Sequence, residues 1–502
     1  MFRRIGNWFS AALRPGSTTL WAGALLLLLF AALAVQPLQP PDFWWHLKVG
    51  EIVLDQGRIP QEDLFSYTVT GQPYIYQSWL AGVIFALFFR LGGPAAIVVM
   101  NAVLLTTAYA LLRRACYLES SHPHVATACA FAAVVISAGN WAARPQSFST
   151  LLFALFLLLL VRFRREGRGP WWLFPALTAL WANLHGAFIL APALLGAALI
   201  GEGIKALWPG HPLGRLPHRA LLGLAGATLA SLLAPVLNPV GWRILAYVRA
   251  IQGSPIIRQS MAEWKPPRPD DAVGAAFYLS LLLLFFFLLY RRQRPDPVEA
   301  IWLAGTAWLA LNGVRSIIWY SFAMALLLAQ GMAGLSLPRP ALPQARQVRW
   351  NLVLLALLAA LALLTLPWCK GILPLPPDLQ GTISQSTPVQ AADFVAREGL
   401  SGPIFHRMEY GGYLLWRFYP QRRVFIDPRV ELYPPAIWDE YARISAGAPE
   451  AEELLGARGV EVLLLDTHFQ AGLLARLQAS GRWHVRYENS MEGSVVLTPS
   501  PR

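Results

Sequence analysis

The sequence predicts an α-helical polytopic membrane protein of about eleven spans, with one interfacial or re-entrant helix and a small C-terminal α/β domain outside the membrane. Three observations carry this. The 502 residues are 56% hydrophobic and only 14% charged, where a soluble domain is about 25% charged. Mean hydropathy is +0.45. Apolar runs of span length recur from residue 19 to residue 368, and basic clusters fall on alternate turns between them.

A span needs about 20 apolar residues. Candidate runs, several of them short and extending into their flanks, lie near 19–36, 94–112, 125–142, 147–162, 171–184, 187–206, 220–236, 273–290, 297–313, 317–334 and 350–368. The first follows Arg3, Arg4 and Arg14 and lacks a clear small-residue cleavage site, so it reads as a retained span rather than a leader. Cytoplasmic loops collect Lys and Arg. Arg3/Arg4/Arg14, Arg113/Arg114, Arg162/Arg164/Arg165/Arg168, Lys205/Arg215/Arg219, Arg291/Arg292/Arg294 and Arg339/Arg346/Arg349 all satisfy that rule at once if Leu80–Phe89 does not cross. That segment is only about ten residues long and ends at Arg90-Leu91-Gly92-Gly93-Pro94, which makes it the interfacial or re-entrant helix. The N-terminus is then cytoplasmic. The loops near 37–93, 143–146, 184–186, 237–272 and 314–316, and everything after Trp368, are external.

The tail, 369–502, alternates short apolar runs with amphipathic ones. Pro403–His406, Arg423–Asp427, Val460–Asp466 and Val495–Thr498 read as strands, and Pro388–Glu398, Ala436–Ile444, Glu452–Ala457 and Phe469–Ala479 as helices. Such alternation predicts a small α/β sandwich. The net charge of +13 is explained by the cytoplasmic clusters, and no basic stripe with interleaved aromatics points to nucleic acid. Cys116, Cys129 and Cys369 fit no metal spacing.

The unusual polar residues gather on the external side. Pro40-Pro41 ends the preceding helix, and Asp42 suits the N-cap of a helix running to about Gln56 and ended by Gly57. A plain cap beside interfacial tryptophans is the simple reading. The functional one is a carboxylate at the lipid boundary that accepts a proton or holds a cation near a lipid phosphate. His46 lies one turn on, sharing a face with Asp42 next to Trp45. The loop from Arg58 to Trp79 is long, polar and aromatic, with Asp63, Tyr67, Tyr74 and Tyr76. Loops of that length are usually functional or disordered, and aromatic rings suit either sugars or a membrane belt. Short external turns carry Arg144, His185 and Arg315, and the longer 237–272 loop carries Arg258 and Glu263. A single such Arg is commonly snorkelling or capping. Together they could clamp a phosphate, which guanidinium binds bidentately. In the tail, Gly411-Gly412 before an apolar helix offers either a weak phosphate cradle or a tight turn.

The strings PDFWWHLKVGEI, GRIPQEDLFSYT, ARPQSFS, WANLHGAF and LNPVGWRIL, with YGGYLLWRF and VFIDPR in the tail, are similar to a bacterial family of glycosyltransferase-like membrane proteins. The arrangement resembles the C-type (GT-C) polytopic glycosyltransferases, related to lipid-linked sugar and mannosyl transferases. The resemblance implies a polyprenyl-phosphate sugar donor, an acceptor that is an envelope glycan, lipid or protein, and residence in a bacterial inner membrane. It implies that the acidic residue after the first span is a base or a metal ligand, and Asp42 matches that position. The usual second adjacent acid is missing, with Phe43 in its place; Glu51, Asp55, Glu62 and Asp63 come later. The base role stands and the metal role is weakened. No metal ligand is assigned, and the cofactor is unknown.

The expected activity is inverting transfer on the external face, with Asp42 as base. Substrate and phosphate binding fall to Trp45, His46, Asp63, Tyr67, Arg144, His185, Glu263 and Arg315. The alternative is a non-catalytic lipid-glycan binder or an envelope-assembly protein. An ion-coupled transporter would place acids deep within spans, whereas Glu202 and Glu299 sit near predicted cytoplasmic ends.

Overall fold

The computed structural model describes residues 16–207, 216–291, 295–333 and 344–500; Arg3, Arg4, Arg14, Arg215, Arg292, Arg294 and Arg339 lie outside the described residues. Each of the eleven apolar runs contains a helix. The first half comprises α1 (Ser17–Ala34), α2 (Phe43–Gln56) in the loop after it, α3 (Trp79–Ser120), α4 (Pro123–Ile136), α5 (Gln146–Glu166), α6 (Leu173–Leu184) and α7 (Leu190–Leu207). The second comprises α8 (His218–Leu233), the loop helices α9 (Arg243–Gly253) and α10 (Pro255–Ser260), then α11 (Ala272–Tyr290), α12 (Pro297–Asn312), α13 (Ile317–Gly331) and α14 (Ala345–Leu364). Among the described residues eight helical stretches are long and apolar enough to cross a membrane. The helices α4, α6 and α12 are shorter, at 14, 12 and 16 residues. The chain is a multi-pass membrane protein. Helices α5 and α13 are enclosed by their neighbours, while α1, α11 and α14 leave most of their apolar surface outward, as lipid-facing helices must.

The segment read as an interfacial helix is the first part of α3. Backbone angles leave the helical range at Gly92 and Gly93, and Pro94 follows. Gly93 has φ +60°, a conformation that a side chain disfavours, so the chain turns there and two helices meet. The first of them crosses α2 backbone to backbone. A Cβ on Gly50 would lie 1.9 Å from the Gly82 carbonyl oxygen. This crossing fixes the direction of α2 and hence of the residues at its start.

At one end of the bundle a buried ionic cluster ties α5, α7 and α12. Arg164 binds Glu202 at 2.9 Å and Asp296 at 2.6 Å, and Lys205 binds Glu202 at 2.6 Å. The opposite ends of the same helices carry Arg144, His185 and the Asn312–Arg315 turn.

The tail holds a four-stranded sheet in the order β1-β2-β4-β3, with β1 (Ile404–His406) parallel to β2 (Val462–Asp466), and β3 (Trp483–Asn489) and β4 (Ser494–Pro499) antiparallel. Its helices are α15 (Pro377–Gln380), α16 (Val389–Arg397), α17 (Met408–Phe418), α18 (Pro435–Ser445), α19 (Ala451–Ala457) and α20 (Ala471–Ser480). Three expectations change. Arg423–Asp427 is not a full strand: Val424 makes single bridges to Ser66 and Ile404, because this stretch also pairs with the loop between α2 and α3. Trp483–Asn489 is a strand that the run analysis did not contain, although its exposure alternates residue by residue, the period-2 signal of a half-buried strand. Gly411 and Gly412 lie inside α17 and are buried. They form neither a turn nor a phosphate cradle. A Cβ on Gly411 would lie 2.3 Å from the Ile426 carbonyl oxygen, so this glycine lets α17 press against the 424–428 segment.

The tail is locked onto the loop between α2 and α3. Tyr67 N–H donates to Val424 O at 3.0 Å and Val424 N–H to Phe65 O at 2.9 Å. Fully buried Arg429 binds Asp63 at 2.6 Å and Asp427 at 2.5 Å and donates to Tyr76 Oη at 3.0 Å. Trp44 of α2 packs its ring at 4.9 Å from Tyr413 and 4.8 Å from Trp416. Removing one partner of a buried ion pair costs about 3–5 kcal/mol, because the other charge is stranded. Asp63→Ala is therefore expected to lower the melting temperature of the detergent-purified protein and to open the 58–78 loop to protease. Thermal-shift and limited-proteolysis measurements check this, and an unchanged pattern would show that the clasp contributes nothing to the fold.

Candidate functional site

Asp42 follows two prolines and precedes α2, as expected, but its side chain caps nothing. It sits at φ +62°, a region a non-glycine residue occupies at a cost of about 1–3 kcal/mol. The strained turn carries the carboxylate away from the helix end and toward Arg144, whose Nη1 is 3.9 Å from Asp42 Oδ2. Arg144 is in the turn between α4 and α5. Its Nη1 also holds Glu263 in a short hydrogen bond, and Arg315 Nη1 approaches the same carboxylate at 3.6 Å. The Arg315 guanidinium lies 4.2 Å from the Trp264 ring centroid. One carboxylate thus bridges two arginines while a second stands beside them. Arg144 Nε and Gln146 Oε1 are buried without a hydrogen-bond partner among the described residues.

His46 is one turn along α2, and its ring stacks on Trp45 at 3.5 Å. Burial holds His46 down to about 3, so it is neutral. His185 Nδ1 accepts from Ala187 N–H at 3.3 Å and contacts Ser149 Oγ at 2.8 Å, which in turn accepts from Trp181 Nε1. That bonding assigns the ring proton to Nε2. Burial, then Arg315 and Arg144, keep His185 neutral as well.

These groups face one cavity of about 700 Å³. Trp45, Asp42, His46, Arg144, His185, Glu263 and Arg315 all line it. Asp63 and Tyr67 do not: Asp63 is 1% exposed in the Arg429 clasp, and Tyr67 Oη donates to Ile404 O at 3.2 Å with its ring edge-on to Phe425. Both join the loop to the tail, because strand-like pairing with Val424 turns this part of the loop away from the helix bundle. Three cavity groups escaped the sequence reading. Gln77 donates to Ala182 O at 2.8 Å, Tyr247 projects from α9, and Glu431 comes from the tail. The FIDPR string beside Glu431 was the only signal for the last.

The environment separates the two carboxyls. Burial and then Glu263 push Asp42 up to about 6, against Arg144 and Arg315, with Glu431 adding to the rise. Burial opposes ionisation of Glu263 too, but Arg144 and Arg315 outweigh it and hold Glu263 below the ordinary range. Glu263 is thus held ionised as the counter-ion of the two arginines, and Asp42 is the more readily protonated of the two carboxyls. Among the described residues no three His, Cys, Asp or Glu side chains gather into a metal-holding group. The nearest charged neighbour of Asp42 is a guanidinium. This donor set does not fit a resident divalent ion.

No family model matches the chain, and no curated protein matches it by sequence. Solved structures do. The chain is similar to the Archaeoglobus fulgidus oligosaccharyltransferase, captured with an acceptor peptide, at 11% identity and TM-score 0.52, over 95% of this chain and 74% of that one. It is similar to the mycobacterial arabinofuranosyltransferase AftD at 16% identity and TM-score 0.54, over 96% of this chain but only 40% of that one. It is similar to Cupriavidus metallidurans ArnT bound to undecaprenyl phosphate at 12% identity and TM-score 0.51, over 96% and 99%. Identities this low speak for the fold alone, and the fold is one that these three solved proteins share with this chain.

Proposed function

We propose that the chain is an inverting glycosyltransferase that moves a sugar from a polyprenyl-phosphate donor to an envelope acceptor, on the extracytoplasmic face of a bacterial inner membrane. The observation that carries this reading is the meeting of Asp42, Arg144, Arg315 and Glu263 from four distant stretches at one cavity. The N-terminus is then cytoplasmic, and residues 369–502 form an external domain on the cavity side. Ile257, Met261, Trp308 and Leu309 give the cavity an apolar wall; Trp308 and Leu309 are exposed on a membrane helix, a path that suits a prenyl chain entering from lipid.

The donor phosphate competes with Glu263 for Arg144 and Arg315, since guanidinium binds phosphate oxygens with matched geometry. The acceptor hydroxyl oxygen forms a bond to the anomeric carbon while the bond from that carbon to the phosphate oxygen breaks. The hydroxyl proton passes to Asp42. The phosphate leaves with the bonding pair, and the two arginines stabilise its charge. Displacement from the opposite face inverts the anomeric centre. No step is routed through a metal.

Asp42→Asn is expected to reduce transfer of labelled sugar from polyprenyl-phosphate donors by about 10²–10⁴-fold with expression intact; retained transfer removes Asp42 from the mechanism and favours the binding-protein reading. The pH dependence has a definite sign. Asp42 is raised to about 6, so the active carboxylate is lost as pH falls below that value, and kcat/KM of the wild type should drop about tenfold per pH unit there and level off above. Glu263→Gln removes the neighbouring charge that raises Asp42, so the same pH series should show its acid limb displaced to lower pH. An acid limb that stays in place assigns the titration to another group.

A further inference from the structure

Glu431 sits in the short turn Val430–Leu432 of the tail, yet it lines the cavity of the membrane helices. Tyr74 of the external loop donates its hydroxyl to Glu431 Oε1 at 2.6 Å, and Tyr247 of α9 does so at 2.7 Å. The two phenol oxygens are 3.4 Å apart. Loop, membrane domain and tail thus each supply one member of the cluster.

Four arginines line the cavity: Arg144 and Arg315 pair with Glu263, Arg429 with Asp63 and Asp427, and Arg258 donates to Gln252 O. Among the described residues Glu431 has phenol partners and no ion pair. When both phenol protons point at the carboxylate, the cluster turns oxygen lone pairs toward the cavity. Such a wall takes O–H donors and repels phosphate. The wall at Arg144 and Arg315 has the opposite character, with N–H donors and positive charge. The cavity is therefore chemically polar, and its two characters match the two substrates of a transfer reaction. The clasp at Arg429, two residues before Glu431, holds the turn in place.

We propose that Glu431, Tyr74 and Tyr247 form the acceptor subsite, which binds hydroxyls of a neutral glycan and rejects phosphorylated sugars. The word acceptor rests on the transferase reading; the sugar preference does not.

The test uses the full chain in lipid nanodiscs with three probes: methyl β-D-glucopyranoside, glucose 6-phosphate and undecaprenyl phosphate. Saturation-transfer NMR reads the sugars, and tryptophan quenching reads the carrier. Wild type should bind the methyl glucoside and prefer it to glucose 6-phosphate. Glu431→Gln should weaken the methyl glucoside about tenfold, the scale of a hydrogen bond to a charged group, and narrow the preference, with carrier affinity no weaker. Tyr247→Phe should weaken the glucoside and keep the preference, because the charge remains. A wild type that binds neither sugar, or prefers glucose 6-phosphate, overturns the subsite. So does either variant binding the glucoside like wild type, or Glu431→Gln losing sugar and carrier together. If Glu431→Gln does not fold, Tyr247→Phe decides alone. Failure of wild type to bind undecaprenyl phosphate while the glucoside results hold removes the donor assignment and leaves the sugar site standing.

Discussion

The buried Asp63–Arg429–Asp427 clasp is the interaction on which the cavity depends. A guanidinium with no exposed surface is stable only if its charge and its donors are met inside. Two carboxylates and Tyr76 Oη do so, and Ser66 Oγ and Tyr433 Oη bond the carboxylates in turn. The rings of Phe65 and Tyr74 lie 5.0 and 5.2 Å from the guanidinium carbon, adding cation–π attraction. Because Asp63 is in the loop between α2 and α3 and Arg429 in the tail, the energy of this network is spent on joining the two. Glu431 enters the cavity as a consequence, and Tyr74 is held between clasp and cavity.

A second constraint acts from below. The Gly50–Gly82 crossing brings α2 against the start of α3 with no side chain between them. That contact sets where α2 begins, and the strained turn at Asp42 does the rest. A residue free to relax would adopt helical capping geometry, as its position predicts. Asp42 instead faces Arg144. Strain held by tightly packed neighbours is a common mark of working sites, and here it sets a carboxyl that burial disfavours ionising beside one that two arginines keep ionised.

The helices were legible in the sequence because lipid imposes a one-dimensional rule: a stretch of apolar residues of fixed length must cross as a helix. The runs from 19 to 368 followed from it, and Gly92-Gly93-Pro94 marked the end of the short segment, where the structure has a kink. The tail was read less well. Trp483–Asn489 alternates too weakly in apolar character, with His484, Arg486 and Glu488 on the exposed face, to stand out among short runs. The 423–427 stretch has strand composition, but Val424 bridges Ile404 and also Ser66, the latter more than three hundred residues earlier. Gly411-Gly412 reads as a turn because glycine is usually flexible; in α17 it is there for close approach.

By itself the sequence determined the membrane class, the order of the helices and the gathering of acids, arginines and histidines at the turns of one end. Composition and span length suffice for that, since both are local. Tertiary structure alone decided which of those polar residues share a cavity. Asp63 and Glu263 look alike as loop carboxylates, yet one is sealed against Arg429 and the other bridges Arg144 and Arg315. Glu431 carried no signal of its own, and its role as a cavity wall exists only because the tail folds back. The reason is physical: the charge state and partners of an ionisable group depend on burial and on neighbours a few ångströms away, and those neighbours come from parts of the chain that no local pattern connects.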